Sequence, residues 1–491
     1  MPPANHVHVH AHVLNGLAAN TALPPELVDR LIAVAAADAD FVDELVERED
    51  LTHAQVVALH ARVPETAFQL LDRGRGDPEW ARRLAADPWH RNRERLASCP
   101  GLPPDVVETL AADPDVDVVA ELALRATPEA AARLAGHPHA EVRRAVAWNE
   151  ATPPAVLAAL ISGEGLPPAS RCEVCDREET PYTHDPDCEH SDCDLPPDAS
   201  CDGSHESAVH NIQHAALCNS ATPTEAVAAF ADHPSTMLRW ALAERHDLPP
   251  EAARRLTVDP VPGIRAVLAE NPAIDETLMR ALADDESRDV RFHLAHNPNV
   301  PLDLLARLAT TTKLGAALLP RVATASPAEV EELARSTDST VRMLLALRRD
   351  LPAGIRDALA ADPDAKVLKS IAPHPGLSEA QLRAMLDRHG VRVLARVATN
   401  PDASGELLED LTRHRPPVQK AFREVARHRN ATPRALLACL ADIRARAIAA
   451  GHPALPPKAV VELLADEEWG VAEAAAGNPS LPRAVMQRLM P

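Results

Sequence analysis

An all-α solenoid of paired short helices is the fold class this sequence predicts, on three observations. First, an apolar position recurs at Ile212, Leu238, Ile264 and Val290, each 26 residues after the last. It resumes at Val341, Val367 and Val393, then at Ala445 and Val471, in steps of 26 or a multiple of it. A strict period of this length marks a repeat architecture, in which no unit buries its apolar face alone and neighbours must stack on it. Second, each copy is punctuated alike. In residues 290–304, a helix from Val290 to Ala295 ends at Asn297-Pro298, and Pro301 opens a second helix carrying Leu302, Leu304, Leu305 and Leu308. Third, the composition suits a stack of short helices. Proline is abundant (46) and glycine is not (17), and aromatics make up 2% of the chain. Proline at fixed repeat offsets reads as helix punctuation, and Ala- and Leu-rich helices with few rings pack closely.

Taken in order, residues 1–12 form a flexible N-terminus with His6, His8, His10 and His12, which share one face if the chain is extended. The first repeat is legible at Val13, Leu17, Ala18 and Asn20, and N-terminal repeats run from 13 to 162. Residues 139–160 are a clear copy, with Val142, Arg143, Ala147 and Asn149. An acidic, Cys-rich insertion spans 163–206, and the repeats resume in phase from 207 to 491. Roughly 17 units are expected. The unit at 314–338 is one residue short, and 411–432 is irregular. No polar unit follows Leu489 and Met490, so the last repeat offers an apolar edge for an end-to-end contact.

Stacking aligns equivalent residues in rows. Ala18, Ala147, Ala243, Ala269, Ala295, Ala346, Ala372, Ala398, Ala450 and Ala476 form a small row suited to close helix contact. Asn20, Asn149, Asn219, Asn271, Asn297, Asn400 and Asn478 form a second. Asparagine tolerates the left-handed conformation at a helix end and bonds nearby backbone. Arg143, Arg239, Arg265, Arg291 and Arg342 form a third. It reads either as a binding row for an acidic partner or as guanidiniums paired with turn acids such as Asp259, Asp285 or Asp338.

The pattern Leu-Ala-x-Asp-Pro, then Val-Arg, then Val-Ala-x-Asn-Pro-x-x-Pro, seen at Leu110 to Pro114, Val290 to Pro301 and Leu359 to Pro363, resembles the leucine-rich repeat variant family. The resemblance covers nearly the whole chain outside the insertion. It implies a right-handed superhelix of paired helices, one of each pair α or 3₁₀. That family includes a member with a cysteine-ligated iron-sulfur domain ahead of its repeats, whereas the cysteines here lie mid-chain.

The insertion holds Cys172, Cys175, Cys188, Cys193 and Cys201, with His184, His190 and His205 between and after them. Cys172-x-x-Cys175 places two thiolates one tight turn apart, and Cys188 with Cys193 would complete a tetrahedral zinc site. Cys201, His205, His190 and His184 are alternates. The segment is polar and lacks a core, so a metal would staple it. An iron-sulfur cluster also takes four thiolates, and an acidic loop without metal is the third alternative. Cys99, Cys218 and Cys439 lie in repeat helices and read as buried small apolar residues.

The formal net charge is -22. Residues 172–206 contribute twelve acids against one arginine, a net of -11. Such a balance disfavours sequence-independent nucleic-acid binding, which needs cations to displace counterions. Neither a signal peptide nor an apolar run of membrane-spanning length is visible, so a cytoplasmic protein is expected, with thiols or metal ligands instead of disulfides. Gly-rich phosphate loops, a Gly-x-Ser-x-Gly elbow and His-Glu-x-x-His are absent. The expected function is a non-enzymatic scaffold for a protein or peptide partner. An iron-sulfur redox or sensor protein is the alternative, and a nucleic-acid-binding helical repeat ranks below both.

Overall fold

The structure is a computed structural model. It describes residues 4–36, 39–167, 169–172 and 206–490, with only the backbone of 4–10 and 206. Among the described residues the regular elements are helices, joined by a single parallel β-bridge between His139 and Arg171. The solenoid expected from the period is therefore observed. Two units are distinguishable, Leu71–Leu314 with Leu319–Thr324, and Met1–Leu70 with Gly315–Leu318 and Ala325–Pro491.

The repeat is clearest in Pro262–Glu270, Glu276–Leu282, Arg288–Leu294 and Leu302–Thr311. Pro262 sits in the first turn, where its missing N–H costs nothing. Asp275 caps the next helix by accepting from the Leu278 N–H at 3.0 Å. First helices of successive repeats pack on one another. Both helices of a pair are generally α, with 3₁₀ turns at Pro64–Thr66 and Ala228–Asp232. All ten alanines of the small row are fully buried, so the row is the close contact its residue size implies.

The asparagine row has a more specific role than helix termination. Asn149 and Asn271 are extended (φ −71° and −66°), not left-handed. The Asn297 amide donates to the Ala269 and Asn271 carbonyls of the preceding repeat at 2.9 and 2.7 Å. Its Oδ1 accepts from the Asn299 N–H at 2.8 Å. Asn271 does the same to Ala243 and Arg245, and Asn219 to Ala147 and Asn149. Each buried amide thus satisfies carbonyls that the end of the neighbouring first helix leaves open.

Where the row lacks asparagine, other side chains take over. The Arg245 guanidinium donates to the Leu217 and Asn219 carbonyls and is held by Asp247 at 2.8 Å. In the other unit Arg48 bonds Ala18 and Asn20 with Asp50 as its anchor, and Arg348 bonds Ala325 with Asp350. His428 reaches the Asn400 carbonyl at 2.7 Å, and His452 the His428 carbonyl at 3.2 Å. The irregular stretch 411–432 accordingly stays in the stack. His428 keeps the ladder position while the loop containing the cis Arg415–Pro416 bond absorbs the change in spacing.

His452, with His374 at the equivalent repeat position, gives the stack a pH dependence. The Nδ1 of His452 accepts from the Ala454 N–H at 3.1 Å, so a proton there would oppose a donor. Burial pulls the His452 imidazole below its ordinary value, and burial with nearby Arg349 and Arg356 does the same to His374. The unfolded chain then binds more protons in the window below about 6.5. Stability is fully present above that pH and is lost as pH falls towards the depressed folded-state values. Amide exchange in 365–460 should be slower at pH 7.5 than at pH 5.5 after correction for intrinsic rates; equal protection would contradict this.

Within the unit holding both termini, the first repeat stacks on the last. The helix Ala4–Ala19 packs against Trp469–Ala476. Asn20 donates to the Ala476 and Asn478 carbonyls, both at 2.9 Å, which continues the ladder from the C-terminal repeat into the N-terminal one. Asn15 bonds Glu473 at 2.6 Å, His12 stacks on Trp469 at 4.7 Å, and Arg483 pairs with Glu26. The expected end-to-end contact is therefore made inside one chain. The N-terminal segment, expected to be flexible over residues 1–12, is helical from Ala4.

The helix Pro154–Ser162 ends at a left-handed cap, Gly163, the residue at which the expected insertion starts. Its first residues are tied back to the repeats. The Ala140 N–H donates to Arg171 O at 2.9 Å, and Ser170 N–H to Pro138 O at 3.0 Å.

Candidate interaction faces

The arginine row is a set of inter-repeat staples. Arg239 pairs with Asp259 at 2.7 Å and donates to the His233 carbonyl at 2.8 Å. Arg265 pairs with Asp285 at 2.8 Å, and Arg342 with Asp362 at 2.7 Å. Each guanidinium binds the turn before its own helix and the acid that opens the next repeat. Arg265 holds the Asp285 carboxyl below its usual range, reinforced by the Ser287 N–H and opposed by burial. The acid of the third staple is Asp362; Asp338 instead caps its own helix through the Thr340 N–H. Arg93–Asp113 and Arg446–Asp466 belong to the same set and were missed. The constant Arg-to-Asp spacing of 20 residues would have found them.

Two members depart from the pattern. Arg291 bonds the Asp285 and Glu286 carbonyls. Arg143 has Gly163 where the acid would stand. Its guanidinium binds the His137 carbonyl at 2.6 Å and the Pro167 carbonyl at 2.7 Å. The staple position is thereby used to hold the base of the insertion, and Arg143 is buried.

Of the proposed metal ligands, Cys172 lies within the described residues, buried beside a cavity of 60 Å³ lined by Ala140, Glu141, Arg144 and Ser207. Cys175, Cys188, Cys193, Cys201, His184, His190 and His205 lie outside the described residues. Among the described residues no three His, Cys, Asp or Glu side chains converge. Cys99 and Cys439 are buried as expected, with thiols pushed up to about 11 and about 12 by burial. Cys218 differs. It is half-buried, 3.9 Å from His214 Nε2 and beside a cavity of 280 Å³ lined also by Glu244, Arg245 and Asp247.

Cys218 belongs to a face that sequence reasoning did not single out. It lies on the exposed side of first helices in unit Leu71–Leu314, across Ala140–Trp148, Glu206–Cys218, Thr236–Glu244, Pro262–Glu270 and Arg288–Leu294. Trp148 is 39% exposed and meets His214 edge-on at 6.0 Å. Trp240 packs against Gly263, where a Cβ would fall 2.6 Å from its ring, and donates to Glu244 at 2.9 Å. Phe292 is flanked by His293 and His296 at 5.7 and 4.5 Å, and His293 meets Glu270 at 2.7 Å. In a chain with five Trp and five Phe, three lie partly open on one face. The available signal was repeat position, shared by Trp240 and Phe292, with Trp148 four residues further along its own helix and so on the same helical face.

These features define an α-solenoid repeat protein. No family model matches the chain, and no curated protein matches it. Among solved structures, a crystal structure of an engineered protein is 18% identical, with 95% of this chain and 93% of that chain covered at a TM-score of 0.14. The fold assignment rests on the helices and ladders described above. No helix among the described residues is long and apolar enough to cross a membrane.

Proposed function

We propose that this protein is a non-enzymatic interaction scaffold whose first-helix face binds a protein or peptide partner. The supporting observation is the partly exposed Trp148, Trp240 and Phe292 face, in a chain that otherwise has few aromatics. Half-exposed Trp set among polar groups is the composition of interface anchors. Glu244, Glu270 and the flanking histidines supply polar contacts around them. A photo-crosslinking phenylalanine analogue at Trp148 should capture a discrete partner that the same analogue at Val258 does not. Val258 is 79% exposed and lies off this face. Trp240→Ala should abolish the Trp148 product. Equal capture at both positions would refute the assignment.

The insertion is proposed to be a metal-stapled knob, with zinc held by Cys172, Cys175, Cys188 and Cys193. Cysteine spacing supports this reading, as does the anchorage of residues 169–172 on the 138–140 turn. Cys175→Ser should remove about one equivalent of zinc by elemental analysis and leave the helical circular dichroism unchanged. Iron with sulfide would instead support the redox alternative, and global unfolding would show that the insertion is not modular.

A further inference from the structure

Four stacked first helices in the unit holding both termini carry the opposite character to the chain as a whole. They are Ala365–Ile371, Val391–Val397, Gln419–Arg427 and Ile443–Ala450. Their solvent positions bear Lys369, Arg392, Arg396, Lys420, Arg423 and Arg444. Five of these are exposed and Arg423 is half-buried. Three of the five lysines in the protein fall on these helices, counting Lys366.

None of the six makes an ion pair or a side-chain hydrogen bond with a described residue. The Arg423 Nε is buried without a partner. The staple arginines are each committed to an acid, so six uncommitted cations gathered on adjacent helices set this face apart from them. Arg396 adds to the crowding. Burial, and then its charge, pull the neighbouring Arg349 guanidinium below its ordinary value.

The patch has a boundary. On the same face of the next helices stand Glu473, Glu44 and Glu47. Burial raises the Glu44 carboxyl, and Glu473, Glu47 and Asp43 raise it further. A long polyanion running along the stack would leave the cations and meet these acids. The six positions also include no aromatic side chain to stack a base.

We propose that this face binds a short acidic segment of a partner protein in extended conformation, as a more specific form of the scaffold reading on which it rests. Four helices at roughly 8–10 Å spacing span roughly 30 Å. That matches about nine residues at roughly 3.1 Å each in the extended polyproline II form, whose three residues per turn keep every third side chain on one face, so a carboxylate at every third residue meets one repeat. Arginine forks donate to such carboxylates bidentately.

The test is fluorescence anisotropy on the full chain with a labelled ten-residue peptide bearing glutamate at every third position. The control peptide has glutamine at those positions. The glutamate peptide should bind, and raising the salt from 50 to 300 mM should weaken it at least tenfold. Arg392→Glu with Lys420→Glu should also weaken it at least tenfold at unchanged circular dichroism, whereas Lys458→Glu, on a second helix, should not. Equal binding of both peptides, indifference to the double variant, or tighter binding of a 20-base-pair duplex or a 20-nucleotide RNA would each overturn the proposal. If the peptide fails to bind while the Trp148 crosslink persists, the acidic partner is excluded and the scaffold stands. Peptide binding without that crosslink would remove the aromatic face instead.

Discussion

Asn297→Ala should destabilise the repeats on both sides of the substitution by roughly 2–4 kcal/mol. The Asn297 amide is fully buried and serves the Ala269 and Asn271 carbonyls and the Asn299 N–H together. Removing it takes a donor from two carbonyls, of which Asn271 O keeps only the Ile274 N–H at 3.5 Å, and an acceptor from the part-buried Asn299 N–H; a buried group left unsatisfied costs roughly 1–3 kcal/mol, partly relieved by relaxation. Because a repeat array need not unfold as one unit, the suitable measurement is hydrogen exchange resolved along the chain. Protection should fall in 262–311 and change little in 78–148. Uniform loss would mean that the stack is more cooperative than its nearest-neighbour bonds suggest. No change would mean that the amide is not the inter-repeat bond described here.

Gly16→Val should detach the N-terminal helix from the C-terminal repeat. A Cβ at Gly16 would lie inside contact distance of the Glu473 carbonyl oxygen and 2.9 Å from the Ala476 Cβ. The clash is with backbone of a packed helix, so no rotamer relieves it, and overpacking of this kind costs roughly 1–3 kcal/mol or more. Separation would also break the Asn20 bonds to Ala476 and Asn478 and expose the buried Leu481 and Met490. The expected readout is raised exchange in both 11–34 and 457–489, with salt-insensitive self-association through the uncovered apolar edge. Gly470→Ala, where added bulk meets nothing within 4 Å, is the matched control and should leave both segments protected. Raised exchange at only one terminus would show that the two ends do not depend on each other.

Much of this architecture was legible in the sequence because a stacked repeat writes local constraints at a fixed period. The alanine row follows from close helix approach, and any larger residue there would part the repeats. The asparagine row was recognisable as structural, yet its bond was misjudged. A left-handed cap is a local property, whereas the amide reaches carbonyls one repeat back. The same distance hid the substitution of asparagine by Arg245, His428 and His452, which differ in charge and size; Arg245 reaches two carbonyls of the preceding repeat and each histidine reaches one. In the arginine row, the pairing with turn acids was readable for Asp259 and Asp285. The use of Arg143 to hold the insertion was not, because its acceptor is a backbone carbonyl that carries no side-chain signal.

The sequence by itself determined the repeat, the two helices within it and the rows that hold neighbours together. These depend on residue type at short range, and periodicity repeats the signal. Tertiary structure decided which end covers the last repeat, since Asn20 and Ala476 are 456 residues apart and no window of sequence joins them. It also decided the character of each exposed face. The Trp148 face and the Arg392 face draw one or two residues from each of several helices, so only stacking gathers them into surfaces that a partner can bind.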